Sequence, residues 1–355
     1  MSNVPGEVTE PVRTRPETSS TDLEKVLETG TVDPGVLAGH LCGVSLLAPN
    51  GDVPSEADVQ VRRVLKHHPG KRSTLEIALR TGDRWRPLIA KIYRKDRSDV
   101  FEAMKGIEQA GFGPRDEYSI AQPVGYAPSL RCLLQENVEG TPADEIFRSG
   151  DERQRADAAE RCARWLARFH ALAPKAGPVS HPRDFIHSKP WQRWSRKVGR
   201  LEGSFGDKAA HLLHGLEDRS ASVSDVELRA GHGSYNAAHV YLSEHRTVTI
   251  DWDWHDVADP ARDVARFLYA LRRWALDQLG SIRALDEAAH VFLKAYRAAG
   301  TPEVERNLRF FAATTCLNLA VRHLFDDGPG WDEKQGKAEA MLDEGLDIIE
   351  GRITA

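Results

Sequence analysis

Two neighbouring stretches decide the interpretation of this 355-residue chain: GHGSYNAAHV at 231–240 and TIDWDWHDVADPARD at 249–263. Short apolar runs on both sides of the polar sequence 243–246 predict a small β-hairpin. The carboxylate of Asp251 then stands at the end of a predicted strand. Asp259-Pro260 predicts the start of a long helix, with the aspartate as N-cap and the proline at the first helical position.

Upstream of these stretches, residues 59–135 are predicted to form a small β-rich lobe. The period-two alternation of Leu75, Ile77 and Leu79 is typical of a strand with one buried face, and turn sequences separate the apolar runs. The predicted elements are strands Val59–Leu65, Thr74–Arg80 and Trp85–Arg94, helix Ser98–Ala110, and strands Ala121–Val124 and Arg131–Gln135.

The rest of the chain is predicted to be mainly helical. Apolar residues recur at spacings of three and four within Asp151–Ala173, which is typical of an amphipathic helix. The sequence therefore predicts an α+β fold with two lobes. Its segments are a disordered tail at 1–20, a helical or irregular segment at 21–58, the small lobe at 59–135, a hinge at 136–142, and a helical lobe at 143–355.

Composition and charge exclude several classes of protein. The 48 Lys and Arg against 53 Asp and Glu give a net charge of −5, which offers no global reason to bind nucleic acid. The sequence predicts no membrane span and no secretory signal, because apolar runs are short and the N-terminus is polar. Four cysteines without C-x-x-C spacing argue against a disulfide framework and favour a reducing cytoplasm: Cys42, Cys132, Cys162 and Cys316.

The second stretch resembles the metal-binding segment of aminoglycoside phosphotransferases and their choline-kinase-like relatives. The matching residues are Ile250, Asp251, Trp252 and Asp253, followed by Asp259-Pro260 and Asp263. The first stretch stands at the place of that family's catalytic loop, His-Gly-Asp-x-x-x-x-Asn. His232 and Gly233 match this loop, whereas Ser234 replaces the aspartate and His239 replaces the asparagine. The resemblance spans roughly 59–300 and implies a protein-kinase-like fold.

The resemblance implies roles for five of these side chains. Asp251 and His239 are the expected metal ligands, since a carboxylate is the hard oxygen ligand that Mg²⁺ takes, although imidazole suits softer metals. Macrolide phosphotransferases are similar in carrying histidine at the position of His239. His232 is expected to support the loop. Ser234 would orient the acceptor hydroxyl but cannot take its proton near neutral pH, so Asp253 is a candidate replacement base, with His255 and Asp256 as alternatives.

In the small lobe, LIAKI at 88–92 resembles the third strand of a kinase, whose lysine contacts nucleotide phosphates. Lys91 is therefore expected to bind ATP, with Glu102 as its ion-pair partner or Glu108 as the alternative. Gly70 lies in the turn 67–72, which is expected to cover phosphates through backbone amides and basic side chains. The segment containing Glu136 and Val138 is similar to the hinge whose backbone receives adenine.

Two functions from different classes follow from this pattern. The first is an ATP- and Mg²⁺-dependent phosphotransferase, with Mn²⁺ also possible, acting on a hydroxyl of a small molecule. The second is a catalytically impaired kinase-like protein that binds nucleotide or ligand in a regulatory role, because Ser234 replaces the expected base. A scaffold without a nucleotide site is disfavoured by Lys91 and Asp251. The expected partners are a nucleotide and a hydroxyl acceptor, cationic if Asp253 and Asp256 face it.

Overall fold

The computed structural model describes residues 20–41, 55–299, 304–324 and 331–353, which form two compact units. The first contains the described residues up to Ser98 together with Val124–Gln135, and the second contains Asp99–Pro123 and the chain from Glu136 onward. Residues 1–19 of the predicted tail at 1–20 lie outside the described residues, and so does the segment 42–54 with Cys42.

The first unit is built on a five-stranded sheet in the order β1-β2-β3-β6-β5. The first three strands form an antiparallel meander, in which β1 is an edge strand with two irregularities in its register. The strands are β1 Val59–His68, β2 Arg72–Thr81, β3 Arg84–Tyr93, β5 Pro123–Ala127 and β6 Cys132–Glu136.

One face of this sheet is covered by the N-terminal helices α1 Ser20–Thr29 and α2 Pro34–Leu41. Leu75, Ile77 and Leu79, the alternating residues of β2, lie in this core with at most 3% of their surface exposed. Since successive strand residues point to opposite faces, the residues between them belong to the other face. The register therefore separates an apolar face from a polar one.

The second unit is mainly helical. Its helix α10 is buried on nearly all sides and packs against both α8 and α11. The helices are α3 Ser98–Gln109, α4 Ala143–Ser149, α5 Glu152–Leu172, α6 Lys189–Val198, α7 Gly203–Ser220, α8 Ala261–Leu279, α9 Asp286–Ala298, α10 Glu305–Leu324 and α11 Trp331–Ile349. None of the described helices is long and apolar enough to cross a membrane.

Two small sheets of the second unit carry the stretches that the sequence singled out. A four-stranded sheet has the order β4-β11-β10-β7, and a three-stranded sheet has the order β8-β12-β9. The strands are β4 Tyr118–Ile120, β7 Thr141–Pro142, β8 Val179–Ser180, β9 Arg229–Gly231, β10 Val240–Leu242, β11 Thr247–Thr249 and β12 Asp256–Ala258.

The structure differs from the sequence-based elements at three points. The strand predicted at Ala121–Val124 is interrupted between β4 and β5. The side-chain amide of Gln122 donates to the carbonyl oxygens of Phe112 and Ile120 at this break. Helix α3, predicted for the small lobe, groups with the larger unit. Helix α8 begins at Ala261, one residue later than predicted, although Asp259 still accepts the Ala261 N–H at 2.8 Å.

Candidate functional site

The loop after β9 turns sharply at Gly233, which has a φ of +76°. A Cβ at this position would lie 2.0 Å from the carbonyl oxygen of Trp254, so no other residue fits without displacing the backbone. At Gly231 a Cβ would meet the Asp256 carboxylate at 2.4 Å, so a larger residue there would displace that side chain. The two glycines thus allow the loop to lie directly against the segment 254–256.

The loop is held in place by a carboxylate from the first turn of α8. Asp263 accepts the backbone N–H of His232 at 2.7 Å and that of Gly233 at 3.0 Å. Each oxygen of the carboxylate therefore satisfies one buried donor. A buried, charge-assisted bond of this kind is stronger than a neutral one. Asp263 fixes the path of the loop immediately before Ser234.

A second layer of contacts stabilises the charge of Asp263. His170 of α5 lies 3.5 Å from Asp263, and its other ring nitrogen lies 2.7 Å from the hydroxyl of Tyr296 on α9. Burial alone would raise the pKa of Asp263, but the contact with His170 and the positive charge of Arg262 lower it to about 2. Asp263 is accordingly a buried, ionised anchor.

His232 and Ser234 lie together inside this frame. The His232 ring is fully buried, and its Nε2 lies 3.0 Å from the carbonyl oxygen of Ile250. Since a carbonyl only accepts, Nε2 carries the proton and Nδ1 of the neutral ring is an acceptor. Both the backbone N–H and the Oγ of Ser234 lie 3.3 Å from Nδ1. The supporting role expected for His232 stays a prediction.

The backbone of Ile250 brings Asp251 next to His239. Its N–H donates to the carbonyl oxygen of His239 at 2.9 Å, which ties the end of β11 to the end of the loop. Asp251 follows in the left-handed region, with a φ of +67°, a conformation in which aspartate is more common than most residues. Nε2 of His239 then lies 3.6 Å from Oδ2 of Asp251, and both side chains are partly exposed.

The fit of a metal ion to this site depends on these two donors, the Asp251 carboxylate and the His239 imidazole. No cluster of three or more His, Cys, Asp or Glu suited to a metal is found within the described ranges. Mg²⁺ nonetheless needs only one or two protein carboxylates when it also binds phosphates and waters. One carboxylate and one imidazole fit such a shared ion, and the imidazole suits Mn²⁺ better than Mg²⁺.

The alternative bases occupy different surroundings. Asp253 and Trp254 are the central residues of a turn closed by the His255 N–H on the Trp252 carbonyl oxygen at 3.1 Å. The ring of His255 is buried, and its Nδ1 lies 3.0 Å from the same carbonyl oxygen. Asp256 is paired with Arg262 at 2.5 Å. Asp256 is therefore unsuitable as a base, which leaves Asp253 as the half-exposed carboxylate.

In the first unit, Lys91 lies on β3 opposite Thr74 of β2 and is 6% exposed. A buried lysine on the polar face of a sheet is unusual and needs a compensating partner. The expected contact of the Gly70 turn with phosphates stays a prediction. The Gly70 N–H donates to the carbonyl oxygen of Leu27 in α1 at 2.9 Å, and the Lys71 N–H donates to that of His68. These two amides of the turn are already used within the protein.

The remaining predicted residues are placed as follows. Glu102 lies on the exposed side of α3, and its pairing with Lys91 stays a prediction. The alternative partner, Glu108, is bound by Lys105 at 2.5 Å. The Glu136 carboxylate contacts Arg246 at 3.0 Å. Val138 is half-buried, and the proposed contact of this segment with adenine stays a prediction.

The sequence does not predict the hydrogen-bond network behind the loop. Asp263 matches the last residue of the family motif, and the structure shows that its carboxylate binds the loop backbone. The spacing Asp-Pro-x-x-Asp contained this signal, but not the direction in which the second carboxylate points. His170 and Tyr296 carry no sequence motif, and only the packing of α5 against α9 and β9 shows their contribution.

Comparison with known proteins gives a consistent assignment of the fold. No curated protein matches the chain. A choline/ethanolamine kinase family protein from Mesorhizobium loti is 14% identical, with a TM-score of 0.56 over 82% of this chain and 92% of that one. Choline kinase from Cryptosporidium parvum is 10% identical, with a TM-score of 0.56 over 88% and 95%. The thermostable mutant of aminoglycoside phosphotransferase APH(4)-Ia is 16% identical, with a TM-score of 0.55 over 81% and 95%.

These structures confirm the predicted α+β, protein-kinase-like fold. A sequence model described as the phosphotransferase enzyme family matches residues 64–308, which is more than half of the chain and includes Lys91, the loop and Asp263. The chain belongs to the phosphotransferase enzyme family.

Proposed function

We propose that this protein is an ATP-dependent phosphotransferase that transfers the γ-phosphoryl group to a hydroxyl of a small molecule. The observation that carries the proposal is the side-by-side placement of Asp251 and His239 at the end of a loop anchored by Asp263. Family membership supports the same reaction class. A related structure of aminoglycoside phosphotransferase APH(4)-Ia contains ADP and hygromycin B, a nucleotide together with an acceptor.

Asp251 and His239 would hold a divalent cation, Mg²⁺ or Mn²⁺, which would neutralise charge on the phosphates. The Ile250 backbone holds His239 and the loop beside Asp251, the next residue in the chain. Its N–H donates to the carbonyl oxygen of His239, and its carbonyl oxygen accepts from the ring of His232. Lys91 would contact the phosphates through its ammonium group. Glu136 and Val138 are proposed to receive adenine, and Glu102 to pair with Lys91.

Ser234 is proposed to orient the acceptor hydroxyl. Its Oγ lies within 3.3 Å of the acceptor nitrogen of His232, so it can donate to His232 and still accept from a bound hydroxyl. Phosphoryl transfer has a loose transition state, in which positioning and electrostatics contribute more than removal of the proton. Asp253 is proposed as the base. The replacement of aspartate by serine therefore lowers the rate without changing the reaction.

The acceptor is proposed to be cationic, such as an amino sugar or amino alcohol. Asp253 is partly exposed in the turn beside the loop and could bind such a cation. Asp256 is neutralised by Arg262 and does not contribute. We place the protein in the cytoplasm. This location agrees with three free, buried cysteines among the described residues: Cys132, Cys162 and Cys316.

The proposal is tested by calorimetric titration with ATP and Mg²⁺, followed by a phosphate-transfer screen against hydroxyl compounds. Lys91→Ala removes a charge-assisted contact of about 1.5–3 kcal/mol, so ATP should bind roughly tenfold to 150-fold more weakly. Asp251→Asn should abolish transfer and reduce the Mg²⁺ dependence of ATP binding. Asp157→Asn, a surface carboxylate of α5, is the matched control and should change neither.

Replacing the second proposed ligand tests the metal assignment separately. With His239→Asn, turnover with Mg²⁺ relative to Mn²⁺ should rise, because an oxygen ligand replaces an imidazole. An unchanged ratio would argue against His239 as a ligand. Binding of ATP without transfer to any compound, in the native protein and in Ser234→Asp, would favour the regulatory alternative over the enzyme.

A further inference from the structure

The polar face of the first-unit sheet carries Lys91 in a row with a second lysine. Lys66 of β1 pairs with Thr74 of β2, and Thr74 pairs with Lys91 of β3. Directly opposed residues of antiparallel strands share a face. Because neighbouring strands lie about 4.8 Å apart, the two lysine backbones are about 10 Å apart with the small Thr74 between them.

The next row on the same face extends the positive charge. His68 pairs with Arg72, and Arg72 pairs with Tyr93. The carboxylate of β2 on this face, Glu76, contacts Arg63 at 2.6 Å. Residues 59–97 contain twelve Lys and Arg against three Asp and Glu, although the whole chain is acidic.

These positive charges also act on His68. Burial lowers its pKa, and the charges of Lys66 and Arg72 lower it further. Like charges on one face of a sheet repel each other and destabilise it. An anion that bridges them would remove this repulsion.

Two backbone amides of the turn between β1 and β2 are already hydrogen-bonded, so side chains are better placed than these amides to bind a phosphate. The N–H groups of Gly70 and Lys71 donate to backbone oxygens of Leu27 and His68, both at 2.9 Å. A loop that held phosphates with these amides would first have to break these bonds. Lysine side chains, in contrast, are flexible and carry a full charge for a phosphate.

We propose that Lys66 is a phosphate-binding residue, and that Lys66 and Lys91 together hold the phosphate chain of a nucleoside triphosphate on this sheet face. The proposal rests on the proposed function for the identity of the ligand. It assigns to side chains of two strands the contacts that turn amides would otherwise supply.

The test compares Lys66→Gln with Arg86→Gln. Arg86 pairs with Leu79, so it lies on the opposite face of the same sheet. Its replacement by glutamine removes the same charge as the replacement of Lys66. Binding of ATP, inorganic tripolyphosphate and adenosine is measured by calorimetry at fixed ionic strength. Lys66→Gln should weaken ATP and tripolyphosphate by a similar factor, about three- to tenfold, and leave adenosine unchanged. Arg86→Gln should match the native protein.

The outcomes separate this inference from the proposed function. Equal affinity of Lys66→Gln and the native protein for both phosphate ligands overturns it, as does an equal loss in Arg86→Gln, which would indicate only net charge. If the native protein binds tripolyphosphate through Lys66 but does not bind ATP, the phosphate site stands and the proposed function fails. If the native protein binds neither ligand, both fail.

Discussion

Asp263→Asn is expected to destabilise the second unit and displace the catalytic loop. The two oxygens of Asp263 accept the N–H groups of His232 and Gly233. An asparagine of the same shape offers one oxygen and one amide nitrogen, so one buried N–H would face a donor. An unsatisfied buried donor costs about 1–3 kcal/mol, and loss of a buried charge beside Arg262 adds to it. We expect a loss of about 3 kcal/mol in the free energy of unfolding.

The assay is denaturant unfolding followed by tryptophan fluorescence, because seven of the eight tryptophans lie in the second unit. A loss of this size corresponds to about 6–12 °C in Tm for a unit of roughly 250 residues. Phosphate transfer should fall as well, since Ser234 follows directly on the displaced backbone. Asp157→Asn serves as the control and should stay within about 0.5 kcal/mol.

The pH dependence provides an independent measurement. The pKa of Asp263 is lowered in the folded protein to about 2, so its contribution is complete above the ordinary aspartate value near 4. It is lost as the pH falls from about 4 to about 2. The stability curves of the native protein and Asp263→Asn should therefore converge in that window. Equal stability at pH 7, or curves that stay parallel down to pH 2, would refute the anchoring role.

Three further outcomes are expected. Ser234→Asp should increase transfer about tenfold or more and change the free energy of unfolding by less than about 0.5 kcal/mol, as compared by turnover and denaturant titration, because the carboxylate would stand at the family's own position for the base rather than at Asp253; slower transfer would show that a carboxylate at position 234 does not act as a base in this protein. Gly233→Ala should cost more than about 2 kcal/mol and abolish transfer, because its Cβ would meet the Trp254 carbonyl, and native-like unfolding would contradict the loop geometry. Cys132 and Cys162 should resist alkylation at about pH 8 until the protein unfolds, because burial raises the pKa of both thiols, that of Cys132 to about 12; labelling of the folded protein would contradict this.

Much of the fold could be predicted because its signals are local. The alternation of Leu75, Ile77 and Leu79 identified β2, and the motif around Asp251 identified the hairpin and the start of α8 to within one residue. The family and the kinase-like fold followed from the same motif. What a residue contributes to a strand or a helix turn depends on its near neighbours, which the sequence shows directly.

The rest depends on contacts between residues distant in the chain. Asp263 binds a loop thirty residues earlier, and Gly70 gives its N–H to α1 more than forty residues earlier. Neither partner follows from spacing, because the folded path of the intervening chain decides both. The hydrogen bond of the Gly70 amide could not be predicted for this reason, since a glycine in a turn looks equally available whether or not another element covers its amide.

The anchoring of the loop has a consequence for substitutions at position 234. The frame around Ser234 uses the backbone of that residue and of its neighbours, whereas the hydrogen bond found for its side chain within the described part of the chain is the 3.3 Å contact with His232. The side chain at 234 can therefore be exchanged with little effect on folding. Catalytic chemistry and stability are therefore separable at this position: a serine-to-aspartate exchange changes the group offered to the acceptor hydroxyl and leaves the contacts that hold the loop in place.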